Sequence, residues 1–212
     1  MALAHSPRQS GSGRPRSSSR GMLAEAAAEL FLEQTYAGTT VDDIARRAGV
    51  SRATFFNYFS AKSDLLWLEV NEALEVFDAT AASVPPELAP MDAVLEAVTR
   101  LADAFGPGRL PLAVTQVDLM GTDAELQASA LPRFLALVRR LEAFLAARAR
   151  LPGDALLPRA AATAVVGAAV SAAAAWARGG VRRGPLTPLV RTAVEPVCAG
   201  FAEVLPATST TR

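Results

Sequence analysis

Residues 41–60, VDDIARRAGVSRATFFNYFS, constrain the fold more than any other stretch of this chain. Ile44 and Ala48 give a first helix an apolar face, and Ala45 is small enough for a second helix to cross close to it. Gly49 stands where that helix must stop, in a left-handed conformation that costs glycine little. Val50 plugs the turn. Ser51 caps the next helix by accepting from the exposed N–H groups of its first turn. Phe55, Tyr58 and Phe59 then fall at helical spacing and face inward, which leaves Arg52, Ala53, Thr54, Phe56 and Asn57 facing out. Helix, short turn and second short helix in this order make the helix-turn-helix pattern, whose second helix enters the major groove of DNA. A helical hairpin with no ligand would share the spacing, but here every position of the pattern is filled at once.

The rest of the chain carries the same period. Of its 212 residues 51% are hydrophobic, ample for a packed core. Pro and Gly gather at segment edges and alternating strand patterns are nearly absent, so the fold class is all-α with about nine helices. Charge is uneven although the total is zero. Residues 1–62 hold eight Lys and Arg against five Asp and Glu, a net +3; the remainder is −3. A basic front suits a protein that sets one end on a polyanion. One cysteine, Cys198, forbids an internal disulfide and fits a reducing, cytoplasmic setting. One histidine, His5, excludes His-based triads and argues against metal sites, so no catalytic residue, metal or cofactor is expected and the chain does not read as an enzyme. The N-terminus has no apolar core of a secretory signal. The uncharged run 160–177 has the length of a membrane span, but alanine dominates it and a buried helix is the better reading, with no membrane partner.

Along the chain, residues 1–17 read as a flexible arm with Arg8, Arg14 and Arg16, either a solvated tail or an arm touching DNA phosphates or the minor groove. A first helix spans 18–34, with Leu23, Ala27, Leu30 and Phe31 inward. Gly38 breaks the chain and Thr39 or Thr40 caps the helix-turn-helix motif of 40–59. The DNA-binding domain is expected over 18–64 and a second helical domain over 65–212. Its helices are expected over 61–82, 91–105 (Val94, Leu95, Val98, Leu101 and Phe105 inward), 110–120, 123–150 with Pro132 kinking or restarting it, 156–178, and 187–205 with Pro196 bending it.

Gly21–Val70, GMLAEAAAELFLEQTYAGTTVDDIARRAGVSRATFFNYFSAKSDLLWLEV, resembles the head of the TetR family of bacterial transcriptional regulators. First-helix length, the Gly38-Thr39-Thr40 link, the helix pair and the Phe-Ser-x-Lys step all agree. The resemblance implies that Arg52, Ala53, Thr54 and Asn57 read bases, Arg52 a guanine edge and Ala53 a thymine methyl. It implies that Thr40, Ser51, Tyr58 and Lys62 hold phosphates. Phe56 departs from the pattern, since the family usually has a tyrosine there. Its missing hydroxyl should cost about 1 kcal/mol of DNA contact and leaves the contact at Phe56 open. Lys62 is the only lysine beside 20 arginines. It falls in the first turn of a helix, where the dipole disfavours a cation, and a phosphate nearby would account for it. The FFNYFSAKSDLLW run is similar to a subset of the family in which some members answer to acyl-CoA.

For the rear half the resemblance implies a homodimer built by the last two helices, with Gly167, Ala168, Ser171, Ala172, Ala175, Val194, Val197 and Phe201 at the interface. It also implies an effector pocket among the middle helices, for which Trp67, Phe77, Leu101, Phe105, Met120, Phe134, Leu137, Leu141 and Trp176 are apolar candidates and Gln116, with Thr115 and Asp118, polar ones. A small, largely hydrophobic effector fits that lining. The expected function is a ligand-responsive regulator, a repressor released from a palindromic double-stranded DNA operator by its effector. The alternative is a DNA-binding regulator with no small-molecule effector, under a protein partner or its own level.

Overall fold

The computed structural model describes residues 16–105, 112–179 and 183–205; most of the expected N-terminal arm and residues 106–111, between the helices expected over 91–105 and 110–120, lie outside them. Among the described residues there are α-helices, one 3-10 helix and no strand.

The head begins with α1 (Arg16–Gly38). Its regular part ends at Glu33, one residue short of the expected end, because Gln34 (φ −140°) and Thr35 (φ 67°) leave the helical region. Leu23, Ala26, Ala27, Leu30 and Phe31 form its buried face. Thr39 is 1% exposed, with its hydroxyl 2.8 Å from the Thr35 carbonyl and 3.3 Å from that of Leu30. It therefore closes the end of α1 and leaves capping of α2 (Val41–Arg47) to Thr40. Next come α3 (Arg52–Phe56) and a 3-10 turn, Lys62–Trp67. The sequence reading has an α-helix starting directly after Ser60; instead the 3-10 turn intervenes and α4 (Leu68–Ala82) follows.

The rear domain adds α5 (Pro90–Asp103), α6 (Leu112–Thr115), α7 (Val117–Met120), α8 (Asp123–Ala149), α9 (Leu156–Ala177) and α10 (Thr187–Ala202). One helix over 110–120 is the expectation. The backbone breaks it at Gln116 (φ −122°, ψ 36°), and Gly121 in the left-handed region ends α7. Pro132 does not interrupt α8, nor Pro196 α10. The buried face of α5 is Met91, Ala93, Val94, Ala97, Val98 and Ala102; Leu95, Leu101 and Phe105, expected inward, are only half-buried against it. Small residues win the interior because α5 lies close against α10.

By length and composition α9 could cross a membrane. In the fold it packs between α8 and α10, burying Ala161, Ala162, Val165, Val166, Ala172 and Trp176, and turns its other face outward, where Val170 is 49% exposed.

Two hydrophobic clusters result. The rear one draws on α4, α5, α8, α9 and α10. The head cluster joins Leu23, Leu30, Phe31, Ile44, Phe55 and Phe59 with Leu65 and Leu66 of the 3-10 turn, and takes one residue, Met120, from α7.

Candidate nucleic-acid interface

Local chemistry builds the helix pair. At the start of α2 the Thr40 hydroxyl accepts from the Asp43 N–H (3.1 Å) while Asp43 Oδ2 accepts from the Thr40 N–H (3.1 Å) and hydroxyl (2.6 Å). This reciprocal cap satisfies two donors a helix start leaves orphaned. Those bonds to Thr40, with Arg46 beside it, hold the Asp43 carboxyl below the usual range. Gly49 takes φ 68° as predicted. Ser51 caps α3, accepting from the Thr54 N–H at 3.1 Å, and its hydroxyl lies 2.9 Å from that of Thr54. Phe55 (0% exposed) and Phe59 anchor α3 in the head core, and half-buried Tyr58 packs against the same cluster.

The outward set is placed accordingly. Arg52, Ala53, Phe56 and Asn57 are exposed and Thr54 is half-buried. One exposed face thus carries a forked cation, a methyl, a hydroxyl and an amide, groups able to meet base edges in a groove.

The cations nearby are already engaged. Arg52 Nη1 donates to Asp42 Oδ2 at 2.9 Å, and its guanidinium lies over the Phe56 ring, 5.2 Å from the centroid. Arg46 pairs with Asp43 at 3.1 Å. Arg47 forks onto Glu33 and reaches Glu29, pinning α2 to α1 and lowering the Glu33 carboxyl pKa. Lys62 has a different place from the one its position suggests. Its ammonium donates to the carbonyls of Tyr36 and Thr39, both at 2.7 Å, and sits 3.9 Å from the Tyr36 ring centroid. Two of its three N–H groups are thus spent inside the head. Burial pushes the Lys62 pKa down. Sequence reasoning missed this because it compared Lys62 with the helix it begins, not with the helix end it reaches back to.

Asp64 and Arg133 are functional candidates that sequence reasoning did not find, and Trp67, expected in the pocket, joins them instead. Asp64 Oδ2 accepts from the Ser60 and Ala61 N–H groups at 2.9 and 3.0 Å, capping the 3-10 turn. Its Oδ1 accepts from Arg133 of α8 at 3.0 Å. Arg133 also donates to Asn71 Oδ1 (3.3 Å) and the Ser129 carbonyl (2.7 Å) and lies 5.1 Å from the Trp67 ring centroid. Trp67 Nε1 donates to the Ser129 hydroxyl at 2.8 Å. Arg133 thus ties the 3-10 turn and α4 to α8, beside the Trp67–Ser129 bond, and no local pattern announces it.

Among the described residues, the expected pocket residues stand in several parts of the fold. Leu141 and Trp176 are packed in the rear core, while Leu101, Phe105, Phe134 and Leu137 lie half-buried around it. Trp67 belongs to the tie just described. Gln116 marks the α6–α7 break. Met120 is 1% exposed but lies in the head cluster, because the break at Gln116 turns α7 onto α1. Of the candidates, Phe77 lines a cleft of about 650 Å³ between α4 and α8, with Asp78, Ala81, Ala136, Arg139, Arg140, Ala143 and Phe144 among its walls. Arg140 donates to Asp78 across it at 2.8 Å.

On the expected dimer face, Ser171 and Ala175 are exposed and Gly167, Ala168, Val197 and Phe201 half-buried. Ala172 and Val194 are corrections: they are 5% and 0% exposed, facing the protomer's own core.

Family comparison agrees with this geometry. Residues 23–67 match the model described as bacterial regulatory proteins, tetR family, and residues 88–202, over half the chain, match the MftR C-terminal domain. The chain belongs to the TetR family. It is a DNA-binding transcriptional regulator by that membership. It is 26% identical over 172 residues to the "Putative mycofactocin biosynthesis transcriptional regulator MftR" of Mycobacterium tuberculosis, covering 81% of this chain and 86% of that one. Over 51 residues it is 43% identical to the transcriptional activator FasR of Mycolicibacterium smegmatis, 24% of this chain and 23% of that protein. Among solved structures, a TetR-family regulator of Mesorhizobium loti superposes with a TM-score of 0.56 at 18% identity, covering 90% of this chain and 98% of that one. NalD, the secondary repressor of the MexAB-OprM multidrug efflux pump in Pseudomonas aeruginosa, gives 0.53 at 20% identity, covering 87% and 95%. These two likenesses speak for the TetR fold.

Proposed function

We propose that this TetR-family regulator is a homodimeric repressor released from its operator by a small, largely hydrophobic effector. The exposed face of α3, held by the Ser51 cap and by Phe55, carries the reading. Arg52, Ala53, Thr54 and Asn57 read bases; Ser51, Thr40 and Tyr58 hold the backbone, with Lys62 fixing the link beside them. The exposed apolar surface of α9 and α10 is the face a second copy would cover, and a dimer presents two recognition helices to half-sites one helical turn or a multiple apart. The α4–α8 cleft, apolar at its floor with Arg139 and Arg140 at its rim, suits an effector with a hydrophobic body. α4 follows directly from the head, so a ligand that parts α4 from α8 favours a conformer with the wrong spacing of heads. The likeness to the mycobacterial protein makes genes for mycofactocin biosynthesis the first place to seek an operator. Mobility-shift titration of the upstream fragments of the chain's own gene and of such genes is the test. Binding is expected to weaken steeply with salt, by about one logarithmic unit of affinity per logarithmic unit of salt for each phosphate held. No shift of any of these fragments at low salt would defeat the operator assignment.

A further inference from the structure

The ring of Phe56 is 46% exposed on a short helix whose exposed face is otherwise polar or small. It lacks the hydroxyl that would make it a phosphate donor, so its exposure calls for another reason. Its surroundings supply one. Phe56 meets Phe55 edge-on, ring centroids 5.3 Å apart at 80°, and Phe55 is fully buried, so the outer ring stands on a fixed base. Arg52, one turn earlier, places its guanidinium over the Phe56 ring, 5.2 Å from the centroid. Asp42 of α2 takes one N–H of that fork at 2.9 Å. The ring and the carboxylate together restrict where the guanidinium can lie, while the side chain stays 55% exposed.

We infer that Phe56 determines specificity, by stacking Arg52 so that its fork meets a guanine edge-on, and that Asp42 holds the fork until a guanine replaces it. This rests on the DNA-binding reading. Guanine offers two acceptors, O6 and N7, in the geometry of the fork; no other base edge in the major groove does. Only guanine therefore repays the loss of the Asp42 pair. At other bases Arg52 stays with Asp42, and the acid repels the phosphates that would otherwise attract a free arginine. A platform that is only a ring does this as well as a tyrosine does, and makes no phosphate bond of its own.

The test uses the full chain and a pool of randomised duplexes, from which the parent selects its preferred site. Affinities for that site and for a shuffled duplex are then compared. Phe56→Leu, which keeps apolar bulk without a π face, should lower the ratio of the two affinities about tenfold and erase the preference at one G·C pair per half-site. Phe56→Tyr should recover most of the ratio. Asp42→Asn should lower it from the other side, by raising affinity for the shuffled duplex. On an Arg52→Ala background, Phe56→Leu should change the ratio by less than about twofold. Proportional weakening on both duplexes by Phe56→Leu, or a full additional effect on the Arg52→Ala background, would overturn the inference while leaving DNA binding intact. Failure of the parent to enrich any sequence would defeat the DNA-reading assignment itself.

Discussion

Lys62 shows how a charge can be read correctly as unusual and yet be placed by a different partner. In the first turn of its own helix a cation is disfavoured. Reaching back to the carbonyls of Tyr36 and Thr39, it sits at the end of α1, where a cation belongs. It braces the link that carries Thr40. Lys62→Gln should cost the head about 1–2 kcal/mol, charge-assisted bonds at a half-buried site being worth roughly that, read as a lower unfolding midpoint in urea. The ring beneath it gives a pH signature. Burial, helped by the Glu125 and Asp64 carboxylates, pushes the Tyr36 phenol from 10.0 up to about 12. A raised folded pKa keeps its stabilisation below the unfolded value and loses it as pH climbs to the folded one. Stability should therefore fall between pH 10 and 12, and Tyr36→Phe should flatten that fall. The check is urea unfolding of both proteins across that range; parallel curves would remove Tyr36 from the account.

At the scale of elements, α8 acts on the head through Arg133. The Asp64 carboxylate it grips also caps the turn that leads out of α3. Arg133→Leu should loosen residues 60–67 first, and amide hydrogen exchange should quicken there several-fold while α5 and α10 keep their protection. Uniform change across the chain would mean that the tie is not local. This contrast also explains what could be read in advance. The helix pair was legible because its caps, turn and inward aromatics are all local: Ser51 to Thr54, Gly49 alone, Phe55 to Phe59. The break at Gln116 and the Arg133–Asp64 pair, 69 residues apart, depend on which helices meet, and hydrophobic period does not carry that information. The burial of Ala172 and Val194 was hidden for the same reason. Alanine and valine are equally at home in a protomer core and in an interface, so Ala172 and Val194 carried no mark of their side.

For the whole molecule the decisive question is the face of α9. A Cβ built on Gly167 meets nothing within 4 Å in the protomer. Gly167→Arg should therefore fold, yet place a bulky charge where the partner would lie. Sedimentation should show a monomer, and binding to a two-half-site duplex should fall by the loss of the second head. A dimer unchanged in that variant would move the interface elsewhere.

Met120 brings the two levels together. The head closes its own core with a side chain borrowed from beyond α4, set against α1 by a helix of the rear domain. The reading end is thus no interchangeable cassette. Grafted alone onto another regulator it would lack one of the buried side chains of its own core. A swapped head would need a residue at position 120 matched to its new neighbours.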